Sequence, residues 1–241
     1  MIAYKKIIFN YFQFRYIHAN EETPFIVIIK TQKISMKDCD FGNIFQPIIL
    51  VRNPFTFELS HIQVQDIAPL QNKSIFAFGM ITLAVIENVH IENIKNCVIN
   101  MKNVISVKVS NTTIIKSSAS NSALSAAMRM HKCWYISFND VIMANNFEKT
   151  SGDALYCQAA FSLVIVSSIF YNNKADKNGG SPSCYSIVNL TLINSMWEGN
   201  LAKQHGGDIY IRNMISLIII KCNFSKGQAV YGGNIFGLDV N

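Results

Sequence analysis

The sequence is poor in charged residues, in proline and in long apolar runs. Only 15% of its 241 residues are charged, although 50% are hydrophobic. No segment approaches the roughly 18 consecutive apolar residues of a transmembrane helix, so we expect no membrane span within this chain. Four of the five prolines precede residue 70. Because proline interrupts the hydrogen bonds of a sheet, the later part of the chain is free to form uninterrupted strands.

The six cysteines also lack any pattern typical of a metal site. There is no Cys-x-x-Cys pair and no Cys/His cluster, whereas a structural zinc site needs such ligands at short spacing. We therefore predict no metal and no cofactor. Cys157 and Cys184 are separated by one period of the repeat described below. They fit either a disulfide between neighbouring repeats in an oxidising compartment or two buried thiols packed as small apolar residues.

The basic residues are not concentrated in any one stretch. Lys and Arg exceed Asp and Glu by 21 to 15, which gives a formal charge of +6. The excess is spread over Lys5, Lys6, residues 129–132 and single lysines. No stripe of Arg and Lys interleaved with aromatic residues appears, so we predict no nucleic-acid partner. Solvated turn residues explain the charge, and a soluble binding module that uses these basic turns is an alternative interpretation.

Against this sparse background, residues 169–236 repeat one pattern three times. An aromatic residue is followed by Asn-x-Ala or a related segment and then by a glycine pair, and the aromatic positions 170, 197 and 224 are equally spaced. Their period of about 27 residues lies in the range that indicates a repeat architecture. The repeated residues are Phe170, Asn173, Gly179 and Gly180; Trp197, Asn200, Gly206 and Gly207; and Phe224, Gly232 and Gly233.

The residues between these motifs favour strands. Residues 190–193 and 216–220 are rich in β-branched side chains and alternate with period two. The Asn and Gly residues that follow tolerate the left-handed backbone of tight corners. A unit of this length fits one coil of a parallel β-solenoid, which buries its apolar surface only when coils stack. The sequence therefore predicts an all-β solenoid.

The register can be followed upstream with weaker signals. Residues 91–94 echo residues 64–67 one period earlier, and residues 35–38 precede those by about 28 residues. We expect about eight coils of roughly 27 residues each over residues 31–241. Residues 1–30 are predicted to form an N-terminal cap or a first irregular coil. The solenoid is expected to continue beyond this chain, as a fragment of a longer protein.

Stacking of equivalent residues predicts two internal ladders. One is an amide ladder of Asn145, Asn173 and Asn200. The other is an aromatic ladder of Phe170, Trp197 and Phe224.

One group of residues approaches a catalytic constellation. His205, Asp208 and Arg212 lie within eight residues, and such groups can perform acid–base chemistry on a sugar. However, His205 occupies the position before a glycine pair that Asn178 and Tyr231 occupy in neighbouring repeats. A variable turn position explains it better. We therefore predict no catalytic residue and no enzymatic activity.

The aromatic-x-x-Asn-x-Ala segments and Gly-Gly-x-Ile corners resemble the FxxN and GGxI repeats of polymorphic outer-membrane and autotransporter-passenger proteins. More broadly, they resemble the pectin-lyase-like superfamily. The pattern departs from these repeats at Ser181, Pro182 and Gly227. The resemblance implies a right-handed, single-stranded parallel β-helix and an extracellular or cell-surface location. It brings no catalytic residue with it, because the superfamily's paired Asp, His-Gly and Arg-x-Lys signatures are not matched.

Two functions follow from this resemblance. The first is a non-enzymatic structural or adhesion segment of a larger secreted or surface protein, with a protein or a carbohydrate as its partner. The alternative is a carbohydrate-active enzyme, a polysaccharide lyase or glycoside hydrolase, on the same solenoid. An enzyme needs charged groups that converge in one groove, so a structure distinguishes the two.

Overall fold

The computed structural model describes residues 6–15, 24, 26–44, 47–68, 74–119, 127–149 and 154–240, and every regular element in these ranges is a β-strand. The strands are β1 (Lys6–Asn10), β2 (Gln13–Arg15), β3 (Ile26–Ile29), β4 (Lys33–Gly42), β5 (Ile49–Arg52), β6 (Thr56–Ile67), β7 (Phe76–Ile94), β8 (Ile99–Ile115), β9 (Ser118–Ala119), β10 (Met128–His131), β11 (Tyr135–Ala144), β12 (Phe147–Glu148), β13 (Leu155–Val166), β14 (Ile169–Tyr171), β15 (Lys174–Ala175), β16 (Ser183–Ile193), β17 (Met196–Glu198), β18 (Leu201–Ala202), β19 (Ile209–Ile220), β20 (Asn223–Ser225) and β21 (Ile235–Val240).

Each strand pairs in parallel with the strand one coil further along the chain. Eight such pairings lead from the first coil to the last through Lys6, Lys33, Thr56, Leu83, Ser106, Tyr135, Ser162, Asn189 and Ser216. Neighbouring strands in such a sheet lie about 4.8 Å apart. The chain therefore winds into a parallel β-solenoid of about eight coils, which confirms the fold predicted from the repeat.

Three strand segments recur from coil to coil, and we call them the first, second and third faces. Four coils add a short fourth segment after the third face, and these segments (β9, β12, β15 and β18) pair with one another in a separate parallel sheet. The first face consists of β3, β5, β10 and the segments that pair with them, namely residues 76–79, 99–102, 155–158, 183–185, 209–212 and 235–238. The second face follows it in each coil, as in residues 135–139. The third face comes next, as in residues 141–144.

The N-terminal segment already takes part in the stacking. Residues 6–10 belong to the second face of the first coil and residues 13–15 to its third face. The other residues of the predicted N-terminal cap at positions 1–5, 16–23 and 25 lie outside the described residues.

The faces are separated by corner residues in the left-handed backbone conformation. In one coil, Lys132, Asp140 and Asn145 have φ of +53°, +54° and +55°. Their spacing of eight and then five residues recurs in every coil from Lys30 to Lys226. Of the 26 described non-glycine residues with positive φ, 15 are Asn or Asp, the types whose short polar side chains best tolerate this conformation. Many of the asparagines in the sequence therefore lie at corners, where their side chains tolerate the left-handed backbone.

Coil length varies while the corner spacing stays constant. Measured as the number of residues between paired second-face positions, the length is 27 in most coils, 23 in the second and fourth, and 29 in the fifth.

The short second coil changes the register that the sequence predicted. The expected correspondence of residues 35–38 with residues 64–67 is wrong, because Met36 pairs with Leu59 and Val64 pairs with Phe41. Since the corners within a coil keep their spacing, the extra residues are inserted between the third face and the next first face.

Alternate side chains of every face point inward and form one continuous core. The predicted aromatic ladder is confirmed. The Phe170 and Trp197 rings stack with their centroids 5.3 Å apart and an angle of 5° between their planes. The Trp197 and Phe224 rings stack with a centroid distance of 4.8 Å and an interplanar angle of 11°. The column to which they belong runs through all coils as Phe14, Phe41, Val64, Ile91, Ile114, Met143, Phe170, Trp197 and Phe224.

The two glycines of each pair are required for different reasons. The first glycine, at 179, 206 and 232, has φ of +60°, +61° and +60°, a conformation that glycine adopts without steric cost. The second glycine lies against the next coil. A Cβ atom on Gly180 would collide with the carbonyl oxygen of Gly207, and one on Gly207 would collide with that of Gly233. The glycine pairs thus allow the closest approach between coils.

The close approach at Gly180 predicts different results for the same substitution at two glycines. We expect Gly180→Ala to lower the free energy of unfolding by about 1–3 kcal/mol, because its Cβ overlaps a backbone oxygen of the next coil. Gly79→Ala is the control. A Cβ on Gly79 meets only the Lys102 carbonyl oxygen at 3.6 Å, an ordinary contact, so we expect a change within about 0.5 kcal/mol. Urea unfolding followed by circular dichroism measures both, and equal losses would contradict the proposed role of Gly180.

Candidate functional site

The three residues that come closest to a catalytic group in the sequence have separate environments in the structure. His205 forms bridges with Asn178 and Tyr231 of the neighbouring coils, as expected of a turn residue, and its Nδ1 lies 2.8 Å from Asn178 Oδ1. Arg212 is exposed on the first face. Asp208 is completely buried. The arrangement does not present a carboxylate and an imidazole together to a substrate.

Asp208 instead ends a column of buried amides. Asn146 Nδ2 donates to Asn173 Oδ1 at 2.9 Å, Asn173 Nδ2 donates to Asn200 Oδ1 at 3.0 Å, and Asn200 Nδ2 donates to Asp208 Oδ1 at 2.7 Å. The predicted amide ladder is therefore right for Asn173 and Asn200 but wrong for Asn145. That residue is an exposed left-handed corner, so the residue after it turns inward.

The environment of Asp208 disfavours its charged form. Burial raises the pKa of the carboxyl to about 6, although the hydrogen bond from Asn200 opposes this shift. Oδ2 has no hydrogen-bond partner among the described residues. The equivalent positions in the neighbouring coils are occupied by the neutral residues Ser181 and Asn234. Burial of Asp208 therefore destabilises the folded chain whenever its carboxyl group is ionised.

This burial predicts a pH-dependent stability. The unfolded carboxyl has a pKa near 3.9, so the folded protein binds more protons than the unfolded chain between about pH 4 and pH 6. Stability must then fall as pH rises through this window. We expect Asp208→Asn to be more stable than the wild type above about pH 6 and to lose this part of the pH dependence. Thermal unfolding at several pH values measures it. Asp140→Asn, at an exposed corner, is the control and should retain the wild-type profile.

Cys157 and Cys184 are direct neighbours on adjacent coils. In the structure both are free, buried thiols, which agrees with the interpretation that they pack as small apolar residues. A disulfide between them stays a prediction for oxidising conditions. Burial raises the pKa of Cys184 to about 12 and that of Cys157 well above its usual value. Because the thiolate is the reactive form, both are expected to be unreactive while the coils are packed.

The difference in burial predicts the order of thiol modification. Five cysteines are buried, and Cys222 is half-buried. We expect a thiol reagent under native conditions to modify Cys222 first and the other five only after unfolding. Mass spectrometry of digested, labelled protein identifies the sites. Rapid labelling of Cys157 would contradict the buried packing, and fragments that join Cys157 to Cys184 and lack two hydrogens would reveal the disulfide.

The first face has a distinctive outer surface. Its described segments contain no Asp or Glu, whereas its outward residues include Arg52, Lys102, Arg129, His131 and Arg212. On the other faces, several carboxylates pair with lysines of the neighbouring coil. Lys33 Nζ lies 2.6 Å from Glu58 Oε1, for example, and Lys116 Nζ lies 2.8 Å from Glu92 Oε1. The described first-face segments therefore carry positive charge without any carboxylate of their own.

The densest part of this charge surrounds His131. Lys102 and His131 are register partners on adjacent coils. The pKa of His131 is lowered, mainly by burial and further by the nearby cations Arg129, Lys102 and Lys132, while a hydrogen bond with Gln158 opposes the shift. A neutral histidine in the midst of three cations indicates a surface suited to an anion.

Aromatic side chains continue this surface towards the last coil. The Arg129 guanidinium carbon lies 5.3 Å from the centroid of the Tyr156 ring, within cation–π distance. The Tyr156 and Tyr185 rings are 5.4 Å apart, and the Tyr185 and Tyr210 rings are 5.2 Å apart. Tyr210 itself is buried, so the surface strip consists of Arg129, Tyr156 and Tyr185 on successive coils.

A row of exposed apolar side chains borders the first face, and we call it the apolar ridge. Each member immediately precedes the second-face segment of its coil, so register aligns them along the solenoid. Ile105, Trp134 and Phe161 lie on successive coils, whereas Thr82 separates Phe55 from Ile105 and the half-buried Val188 separates Phe161 from Ile215. Exposed apolar side chains grouped in this way mark interaction sites in soluble proteins. The ridge consists of Phe55 (65% exposed), Ile105 (51%), Trp134 (60%), Phe161 (46%) and Ile215 (62%).

The sequence prediction that no basic and aromatic stripe occurs holds for continuous stretches but misses this surface. Its members are one coil apart, and coil length varies, so no fixed window brings them together. Aligning the coils by their register and comparing the outward residues at equivalent positions would have identified this surface.

No family model, curated protein or solved structure matches this chain. In the described ranges there is no cluster of three or more His, Cys, Asp or Glu residues that would hold a metal ion. The same part of the chain contains no helix that is long and apolar enough to cross a membrane.

Proposed function

We propose that this chain is a non-enzymatic, adhesion-type segment of a larger secreted or cell-surface protein, and that its first face and apolar ridge bind an acidic polysaccharide. The observation that supports this most directly is the grouping of Lys102 and Arg129 with the corner residue Lys132. This group lies at a face whose described segments contain no carboxylate, beside the exposed ring of Trp134.

The chemistry of the surface matches each part of such a ligand. Lys and Arg bind carboxylate and sulfate groups through charge-assisted hydrogen bonds. The exposed rings of Trp134 and Phe161 offer apolar faces against which the C–H faces of a sugar ring pack. Asn100 and Gln158, which also point outward on this face, have amides that both donate to and accept from sugar hydroxyls.

The resemblance of the repeats to autotransporter-passenger repeats and to right-handed pectin-lyase-like β-helices supports the surface location and the carbohydrate partner. It also supplies the alternative of a polysaccharide lyase or hydrolase. We prefer binding because the residues that the sequence offered as an acid–base group, His205, Asp208 and Arg212, have separate environments, with Asp208 completely buried.

A pair of charge reversals on one strand tests the proposal. Lys102 and Lys108 both lie on β8 and are exposed, but Lys102 is on the first face and Lys108 on the second. We expect Lys102→Glu to weaken binding of heparin or polygalacturonate about tenfold, because it places a repulsive charge in the binding surface. Lys108→Glu makes the same change in net charge and should leave the affinity within about twofold.

Tryptophan fluorescence can measure this binding without an added label. Of the two tryptophans, Trp134 is 60% exposed on the ridge and Trp197 is completely buried. A polysaccharide on the ridge should therefore change the emission of Trp134 alone, and Trp134→Phe should abolish the change. Equal losses in the two lysine variants, binding of neutral dextran as tight as that of the acidic polymers, or depolymerisation of the polymer by the purified chain would each overturn the proposal.

A further inference from the structure

A notch interrupts the first face near its start. Side chains of successive coils form two outward columns here, in which Leu50, Ala77 and Asn100 are register partners, as are Arg52, Gly79 and Lys102. Because Ala77 and Gly79 are small, they leave a groove of about 260 Å³ between the longer side chains of the coils on either side. We call this groove the notch; Phe78, Met80 and Asn103 also line it.

The two ends of the notch are positively charged. Arg52 and Lys102 are exposed, and neither pairs with a carboxylate of the described residues. They lie two coils apart, which places their strands about 10 Å from each other, within the reach of two long side chains on opposite sides of one small group. An anion between them would be approached by both cations.

The rest of the notch is suited to a sugar ring. Leu50 and Ala77 provide apolar surface, and Asn100 provides an amide donor and acceptor. The volume is below the roughly 300–1,000 Å³ of sites for drug-sized ligands, so the notch holds a single sugar residue and not an oligosaccharide. Apolar walls with a few convergent polar groups are the usual composition of a small-molecule site.

We infer that the notch binds one acidic sugar residue of the polysaccharide, with its carboxylate or sulfate between Arg52 and Lys102. This inference rests on the proposed function and adds a specific position to it. The cations around His131 bind anionic groups anywhere along the polymer, whereas the notch accepts one charged residue and so fixes the position of the polymer on the solenoid.

Filling the notch without changing charge tests this inference. Gly79→Thr places a side chain where an added Cβ meets only the Lys102 carbonyl oxygen at 3.6 Å, so the coil need not move. The probes are glucuronate and glucose 6-sulfate, with glucose as the neutral control, and binding is measured by ligand-observed NMR. We expect the wild-type chain to bind both acidic sugars and to bind glucose at least about tenfold more weakly.

The variants should separate the notch from the rest of the chain. We expect Gly79→Thr and Arg52→Gln each to lower the affinity for glucuronate about tenfold or more, while Lys108→Gln, on the second face, leaves it within about twofold. An unchanged unfolding midpoint of Gly79→Thr excludes a folding defect. The inference is overturned if Gly79→Thr binds glucuronate like the wild type, or if the wild type binds glucose equally well.

Failure of the inference differs from failure of the proposed function. If acidic polymers bind the wild type and Gly79→Thr equally but bind Lys102→Glu weakly, the notch has no role and the proposed function stands. If no acidic polymer binds the wild type, the proposed function fails, and the notch fails with it unless glucuronate still binds in a Gly79-dependent manner.

Discussion

The structure depends on stacking in register, in which each residue lies directly above its equivalent in the next coil. A single coil has too little surface to bury its own apolar side chains, so coils are stable only against one another. The aromatic column that contains Phe170, Trp197 and Phe224 and the amide column that contains Asn173 and Asn200 are two results of this constraint. Each column would be lost if the register shifted by one residue, because every side chain would then change sides.

The left-handed corners maintain this register. A non-glycine residue in the left-handed conformation costs about 1–2 kcal/mol, yet the coils place these corners at constant spacing. The backbone amides at the corners still donate to the next coil, as Lys132 N does to Gln158 O at 2.9 Å and Asn172 N does to Glu198 O at 2.9 Å. The hydrogen-bond ladder thus continues around the bends, and this compensates for the conformational cost. Residues that alter coil length are accommodated only where the third face leads to the next first face.

The sequence predicts the part of this structure that repeats strictly. In the last coils the aromatic positions keep a constant period and the glycine pairs differ from it by at most one residue, so both could be assigned residue by residue. The exact inward residue of a turn could not be assigned, because Asn145 and Asn146 are both asparagine and only the backbone φ decides which one turns inward. Upstream, the shorter coils broke the period and led to the wrong partner for Met36. The proposed binding surface was missed altogether, since its residues are related only through the register.

The division between a fixed interior and an independent exterior explains how such a fold can present a surface of the kind proposed here for binding. Inward positions are constrained by the columns, whereas an outward position needs only to avoid its neighbours on adjacent coils. Opposite charges on adjacent coils of the other faces neutralise each other, as Lys33 and Glu58 do, but on the first face Arg52 and Lys102 face solvent. Such a surface is rigid before the ligand arrives, so little conformational entropy is lost on binding. Because it extends over several coils, many weak contacts along one polymer act together. A flat, basic and aromatic face on a solenoid is therefore better matched to a long acidic chain than to a compact partner.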